Sequence, residues 1–317
     1  MIEFIAVIYP ISFLALLVLM GFVSEKTHYV SNIKESLSKV ITHITLPLLV
    51  ITSLSNQEIS EVPIFSILLV VGFGIFVIFL LIAINTSVGK LLKVRQERLL
   101  IHSFLGSFGN VIFLGYPVTY FLYGDIGLLY AIIFSMANEL VVWTFGAFLL
   151  SRNSSGSSGK WSLKYLINPN TLSFIIGITM LMFDIRFPEL INAPLERLGF
   201  ATTPLSMLFI GSILARTELV KALKSIPIWS ICLIKMLLIP TLFLLIITLF
   251  FPLINNISII IISAVTLQMA MPSQANLSVL ADRYNSDSEY AAHSIFITTL
   301  ICSITIPIIY YLSINLL

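Results

Sequence analysis

Ten long runs of apolar residues follow one another through this chain, and each must find an apolar environment. A helix needs ~20 residues to cross the ~30 Å hydrocarbon core of a bilayer. Charged residues make up 10% of the sequence and hydrophobic residues 58%, whereas soluble domains carry ~25% charged residues. The pattern predicts an all-α integral membrane protein with ten transmembrane helices, spans 1 to 10. They occupy, in order, residues 3–23, 35–56, 63–88, 98–123, 125–150, 168–184, 199–215, 226–251, 257–281 and 288–313.

The basic residues lie almost entirely in alternate connections. Fourteen of the 17 lysines and arginines follow spans 1, 3, 5, 7 and 9, whereas the other connections hold only Arg186 and Arg197. Because cytoplasmic loops are enriched in basic residues, both termini are predicted outside and the central loop in the cytoplasm. We expect a multi-pass protein of the cytoplasmic membrane, and a net charge of +2 gives no reason to expect a nucleic-acid partner.

The chain divides into two related halves. Residues 154–159 read SSGSSG, a composition typical of flexible linkers. We therefore expect a first five-helix repeat at 1–150, a cytoplasmic linker at 151–167 and a second five-helix repeat at 168–317. Five is an odd number, so the second repeat would be inserted upside down relative to the first. This is the inverted-repeat architecture of secondary transporters.

Spans 4 and 9 contain residues that interrupt helices. Span 4 reads GNVIFLGYP at 109–117, and span 9 reads QMAMPSQAN at 268–276. Irregular backbone at membrane depth is tolerated only where it is buried in protein or lines a cavity, and transporters bind substrate where two such helices meet. Two breaks at corresponding places predict a binding site, although two kinked helices with a packing asparagine remain the alternative.

The predicted substrate-binding residues lie at these breaks. The Asn110 amide is the strongest candidate, because it both donates and accepts hydrogen bonds where helix N-termini present a positive dipole end. The set comprises Gly109, Asn110, Pro117, Met271, Pro272, Gln274 and Asn276.

Two charged residues lie near the middle of spans, Glu139 in span 5 and Lys235 in span 8. A charge at the bilayer centre costs ~2.5–3.5 kcal/mol or more, so each needs a partner or a cavity. The two could form a buried ion pair. Alternatively, Lys235 attracts an anionic substrate or stands in for a coupling cation, while Glu139 titrates as protons move. Gln268 fits helix packing or ligand contact, and His43 could reach a proton pathway.

No cofactor or metal is expected, because the histidines and cysteines show no metal-ligand spacing. Nor does the sequence contain a phosphate-binding loop or a nucleophilic triad. An enzyme is therefore disfavoured, and ATP-driven transport would need a separate subunit.

At GN (109–110), GYP (115–117), MP (271–272) and 279–284, the sequence resembles the auxin efflux carrier family. This family includes plant PIN proteins and bacterial malate and malonate permeases. The resemblance implies a bile-acid-transporter-like fold in which spans 4 and 9 cross at their breaks. It also implies a scaffold of spans 1, 2, 6 and 7, a mobile core of spans 3–5 and 8–10, elevator-type transport and a homodimer. The uncharged span 3 and short central loop point to the bacterial branch.

These features predict a secondary active transporter for a small organic anion, such as a dicarboxylate or an auxin-like carboxylate. Its expected partners are that anion, the lipid bilayer and a coupling proton. A sodium-coupled symporter of the bile-acid type is the first alternative. A membrane sensor or intramembrane enzyme is the alternative from another class. A sensor would need an output domain, for which no loop is long enough. An enzyme would need several catalytic side chains at one depth, and Glu139 and Lys235 alone give little support for one.

Overall fold

The computed structural model describes residues 2–27, 33–57, 64–153, 169–215, 223–250, 258–284 and 286–317. Every regular element in these ranges is a helix, and their only β-type contact is an isolated bridge between Gly109 and Ser273. The prediction of an all-helical fold is confirmed for this part of the chain. The ten-span inverted repeat stays a prediction, and residues 154–167 of the expected linker lie outside the described residues.

Within the described residues, four π-helical segments join or extend the α-helices, at Ile41–Thr45, Val111–Gly115, Val142–Gly146 and Cys232–Leu238. The α-helices of the described residues are α1 Ile2–Lys26, α2 Ile33–Val40, α3 Leu46–Ser55, α4 Ile64–Leu91, α5 Gln96–Leu105, α6 Tyr116–Val141, α7 Ala147–Asn153, α8 Pro169–Met182, α9 Glu189–Phe200, α10 Thr202–Ala215, α11 Ile226–Ile231, α12 Ile239–Phe250, α13 Ile259–Met269, α14 Leu277–Arg283 and α15 Ser288–Leu316.

Six helical stretches of the described residues are long and apolar enough to cross a membrane. Two further apolar helices, Pro169–Met182 and Ile259–Met269, are shorter. This is the content expected of an integral membrane protein built from helices. The six stretches are Glu35–Ser55, Ile64–Leu91, Val111–Leu150, Glu189–Ala215, Ile226–Leu249 and Ser288–Leu316.

The longest stretch, Val111–Leu150, has 40 residues, about twice what a bilayer requires. Its backbone is interrupted at Gly124, where φ is 65° and ψ is −156°. Residues with a side chain rarely adopt this conformation, so glycine is the residue that fits here. The interruption coincides with the boundary between the predicted spans 4 and 5.

The chain forms two compact units. Unit one contains residues 1–72, 112–136 and 163–216, and unit two contains residues 73–111, 137–162 and 217–317. Each unit therefore draws residues from both predicted repeats, while the repeats themselves stay a prediction.

In unit one, α1 and α10 pack with their backbones in contact. A Cβ atom at Gly211 would lie 2.0 Å from the Val18 carbonyl oxygen, and one at Gly21 would lie 2.2 Å from the Leu208 carbonyl oxygen. Small residues allow such close approach between membrane helices, where van der Waals packing replaces the hydrophobic effect as the driving force. Helix α3 packs against α8 and α9 in the same unit.

In unit two, α15 packs against α5 through a cluster of polar side chains. Arg98 donates to Asp287 Oδ2 from Nε at 2.8 Å and from Nη2 at 2.5 Å. Its guanidinium lies 4.6 Å from the centre of the Tyr290 ring. The Tyr290 hydroxyl is 2.8 Å from His102 Nδ1, and Asp287 Oδ1 accepts the Tyr290 N–H at the start of α15. This cluster fixes the beginning of α15 against the helix that leads to Gly109 and Asn110.

Replacing Gly211 by alanine should destabilise the protein by about 1–3 kcal/mol, because the added methyl group forces the backbones of α1 and α10 apart. Thermal unfolding of the purified protein in detergent measures this. Gly72→Ala is the matched control, since a Cβ atom there meets no described heavy atom within 4 Å and alanine favours the helix. Equal unfolding temperatures for the two variants would contradict the close packing of α1 and α10.

Candidate functional site

The first interruption of the helical backbone covers residues 106–110. Helix α5 ends at Leu105, and the helical path resumes at Val111. Asn85 Nδ2 donates to the Gly106 carbonyl at 3.0 Å, and a Cβ atom at Gly106 would lie 2.3 Å from Asn85 Cγ. The glycine therefore lets a buried amide from α4 satisfy a carbonyl at the end of α5.

Residues 111–117 are helical, although the sequence assigned them to the break in span 4. Pro117 is the second residue of α6 and follows the π-helical segment Val111–Gly115. A proline ring clashes with the preceding turn of a regular α-helix. A wider π-helical turn commonly stands where a helix is locally disturbed, which explains how the helix continues through this proline. Only the amino-terminal part of the GNVIFLGYP stretch is irregular.

The second interruption covers residues 270–276, between the end of α13 at Met269 and the start of α14 at Leu277. Pro272 lies at its centre and has no N–H to donate. This interruption falls within the QMAMPSQAN stretch that the sequence assigned to span 9.

The two interruptions pair with each other in an antiparallel manner; we call residues 108–110 and 272–274 together the crossing. Gly109 and Ser273 form the bridge. The Asn110 N–H donates to the Pro272 carbonyl at 2.7 Å, and the Gln274 N–H donates to the Phe108 carbonyl at 3.0 Å. Backbone groups released from the helices thus satisfy one another, which is what irregular backbone needs away from water.

Glycine at 109 permits this close pairing. A Cβ atom there would lie 3.1 Å from Val111 Cγ1 and 3.4 Å from Met271 Cβ. Met271 itself is fully buried at 0% exposure. A larger residue at 109 would therefore press on the second interruption.

A chain of amide hydrogen bonds runs from the crossing to Glu139. The Gly109 N–H donates to Asn138 Oδ1 at 3.2 Å, and Asn138 Nδ2 donates to Gln274 Oε1 at 3.3 Å. Gln274 Nε2 then donates to Glu139 Oε1 at 3.1 Å, and Trp143 Nε1 donates to Glu139 Oε2 at 2.8 Å. Every donor in this chain points toward the carboxylate.

Several residues that support the crossing were missed in the sequence. Besides Asn85 and Asn138, they include Ser273, whose Oγ donates to the Leu105 carbonyl at 2.8 Å, and Thr298, whose Oγ1 accepts the Ser273 N–H at 3.1 Å. Asn138 could have been found as a second polar residue beside Glu139 in an apolar span. Ser273 and Thr298 gave no comparable signal, since small hydroxyl residues are common in membrane helices.

Lys235 reaches the crossing from the π-helical segment Cys232–Leu238 and is 1% exposed. Its Nζ donates to the Phe108 carbonyl at 2.6 Å and lies 3.5 Å from the Pro272 carbonyl. Among the described residues no carboxylate lies within 4.0 Å of it. Lys235 and Glu139 therefore have separate partners and do not form the buried ion pair considered above.

The Asn110 side chain is 2% exposed, and neither Nδ2 nor Oδ1 has a hydrogen-bond partner within the described residues. A buried polar group without a partner costs ~1–3 kcal/mol, so each such case needs an explanation. Asn110 thus combines a backbone N–H bonded to the Pro272 carbonyl with a side-chain amide that has no hydrogen-bond partner in the described residues.

The remaining candidates lie at different distances from the crossing along the chain. Gln268 is buried near the end of α13, and Asn276 is half-buried immediately before α14. Pro117 and His43 belong to unit one. The His43 side chain is exposed, and its Nδ1 lies 3.1 Å from the Lys39 carbonyl of its own helix. Their functional roles stay predictions.

Two comparisons with known proteins agree with this architecture. The sequence profile of a family described as membrane transport protein matches residues 6–310. An uncharacterized transporter of Methanocaldococcus jannaschii is 28% identical over 272 residues, which cover 83% of this chain and 84% of the relative. Both comparisons identify transporters and not enzymes. The chain therefore belongs to the membrane transport protein family, that of the auxin efflux carriers, and is a multi-pass transporter of the membrane.

Proposed function

We propose that this protein is a secondary transporter that moves a small organic anion across the cytoplasmic membrane and binds it beside the crossing in unit two. The observation that carries the proposal is the buried Asn110 amide, whose donor and acceptor are both unused in the described residues. A substrate that hydrogen-bonds to this amide would recover the free energy lost by its burial.

The charge at the crossing favours an anion. Lys235 contributes a positive charge that the described residues do not balance with a carboxylate within 4.0 Å. Its ammonium contacts the Pro272 carbonyl, which also accepts the Asn110 N–H. A helical path begins at Val111, directly after Asn110, and helix N-termini favour negative groups. A mono- or dicarboxylate such as malate, or an auxin-like carboxylate, meets these requirements.

Coupling to a proton is proposed through Glu139. In the ionised state its carboxylate accepts hydrogen bonds from Gln274 and Trp143. A proton on Glu139 turns one oxygen into a donor, so the Gln274 amide must turn over or lose its bond. Gln274 also accepts from Asn138, which in turn accepts the Gly109 N–H. The charge on Glu139 is thereby linked to the backbone beside Asn110.

The proposed cycle is of the elevator type, with unit two as the moving body. In support, Asn110, Lys235, Gln274 and Glu139 all belong to unit two, so one compact body can carry the bound anion. The homodimer and the external termini are proposed from the family resemblance and the distribution of basic residues. A sodium-coupled cycle is the weaker candidate, because Lys235 already supplies a positive charge to the carbonyls of the crossing.

Replacing Asn110 by leucine should separate function from stability. Uptake of labelled malate into proteoliposomes loaded with unlabelled malate should fall ~10-fold or more, because hydrogen bonds to a charged ligand contribute ~1.5–3 kcal/mol. The thermal unfolding temperature should stay the same or rise, since the lost amide has no partner in the described residues and the backbone bond to Pro272 is retained.

Asn138→Leu is the matched control for this experiment. Its amide bonds to Gly109 and Gln274, so the substitution should lower the free energy of unfolding by about 1–3 kcal/mol. Unchanged exchange in folded Asn110→Leu protein would contradict the proposed site. If the wild type transports neither malate, malonate nor indole-3-acetate, the proposed substrate class is wrong.

Replacing Glu139 by glutamine should remove the response to a proton gradient. Wild-type uptake should increase when the outside is more acidic than the inside, because a proton bound to Glu139 enters with the anion. The glutamine variant cannot carry that proton, so its uptake should be the same with and without the gradient. Glu97→Gln, which removes an exposed carboxylate from α5, should respond as the wild type does. Full stimulation in the Glu139→Gln variant would exclude this residue as the proton carrier.

A further inference from the structure

Lys235 occupies a position with the chemistry of a cation site. Its Nζ lies between two main-chain carbonyls, 2.6 Å from that of Phe108 and 3.5 Å from that of Pro272. Both carbonyls belong to interruptions of helices, and neither is part of a regular helical hydrogen-bond ladder. Unwound carbonyls of broken helices are the ligands with which transporters bind Na⁺.

The two carbonyls also lie at the negative ends of two helices. The turn at the end of α5 continues to Phe108, whose N–H donates to the Phe104 carbonyl at 2.8 Å. The turn at the end of α13 continues to Met271, whose N–H donates to the Gln268 carbonyl at 3.3 Å. A helix C-terminus carries the equivalent of about −0.5 charge. Two such ends within reach of one point favour a positive charge there.

We propose that the Lys235 ammonium occupies a monovalent-cation site built from the carbonyls of the crossing, so that the protein needs no bound Na⁺ to hold the two interruptions together. The inference deepens the proposed function, on which its consequence for transport rests. A tethered ammonium neither enters nor leaves during the cycle. A sodium ion is then not needed at the crossing, which leaves the proton on Glu139 as the coupling ion of the proposed cycle.

The contacts exclude a simpler role as one half of an ion pair. Among the described residues no carboxylate lies within 4.0 Å of the ammonium, and Glu139 is bonded to Gln274 and Trp143. The lysine is also 1% exposed, so water does not screen its charge. The carbonyls of the crossing are therefore the groups that the charge stabilises.

The test is a cation rescue measured by thermal unfolding of the purified protein in detergent. The wild type should unfold at the same temperature in sodium chloride and in choline chloride, because the site is already filled. Lys235→Ala leaves an empty space lined by carbonyls and should be less stable in choline chloride. Sodium at ~150 mM should raise its unfolding temperature by about 2 °C or more, since a ligand that binds only the folded state stabilises it.

Lys235→Met is the matched control. It removes the charge but fills most of the volume, so sodium should not rescue it. A wild type stabilised by sodium over choline, or a Lys235→Ala variant that sodium affects no more than Lys235→Met, would overturn the proposal. If neither variant can be purified, the wild type decides the matter: indifference to sodium supports a filled site, and stabilisation by sodium refutes it.

Transport gives a second measurement that separates this inference from the proposed function. Malate exchange by the wild type should be equal in sodium and choline media, and that of Lys235→Ala should require sodium. The thermal experiment uses no substrate. Absence of malate exchange together with sodium rescue of Lys235→Ala would therefore refute the proposed substrate and support the cation site.

Discussion

The structure of unit two depends on satisfying backbone groups where two helices are interrupted. The hydrogen bonds from Asn110 to Pro272 and from Gln274 to Phe108 join the interruptions directly. Pro272 lacks an N–H, so its carbonyl is the group that must find donors. It receives the Asn110 N–H and lies beside the Lys235 ammonium. Pairing of the two irregular segments, together with the buried Lys235, satisfies main-chain groups that the surrounding protein shields from water.

Surrounding side chains hold this pairing in place from several helices. Asn85 of α4 satisfies the end of α5, Asn138 of α6 binds Gly109, and Thr298 of α15 binds Ser273. Each contact joins a side chain to a backbone group that no helix can satisfy. These three polar residues of unit two thus lie where the main chain leaves its helices. Side chains from three helices therefore bond to the main chain at or beside the crossing.

The apolar runs were enough to predict the all-helical architecture, because the bilayer permits few alternatives for a chain this apolar. The sequence also located the interruption at Pro272, but it extended the first one too far. Pro117 follows a π-helical turn and continues into α6, an accommodation that depends on the local path of the backbone and not on residue type alone. The partners of Lys235 could not be predicted either, because every residue has a main-chain carbonyl and the sequence does not indicate which ones are free to accept a hydrogen bond. An ion pair with Glu139 was considered because a sequence shows charged side chains directly.

Two asparagines of unit two differ in the hydrogen bonds that their side chains make. Both Asn110 and Asn138 are buried, and the residue type alone does not distinguish them. The Asn138 amide bonds to Gly109 and Gln274, whereas both polar atoms of the Asn110 side chain lack partners in the described residues. A buried amide that only stabilised the fold would be expected to use its bonds, because unused ones cost free energy. In the proposed function a ligand supplies the missing partners and recovers this cost, so Asn110 is the member of the pair that we propose binds and releases the substrate.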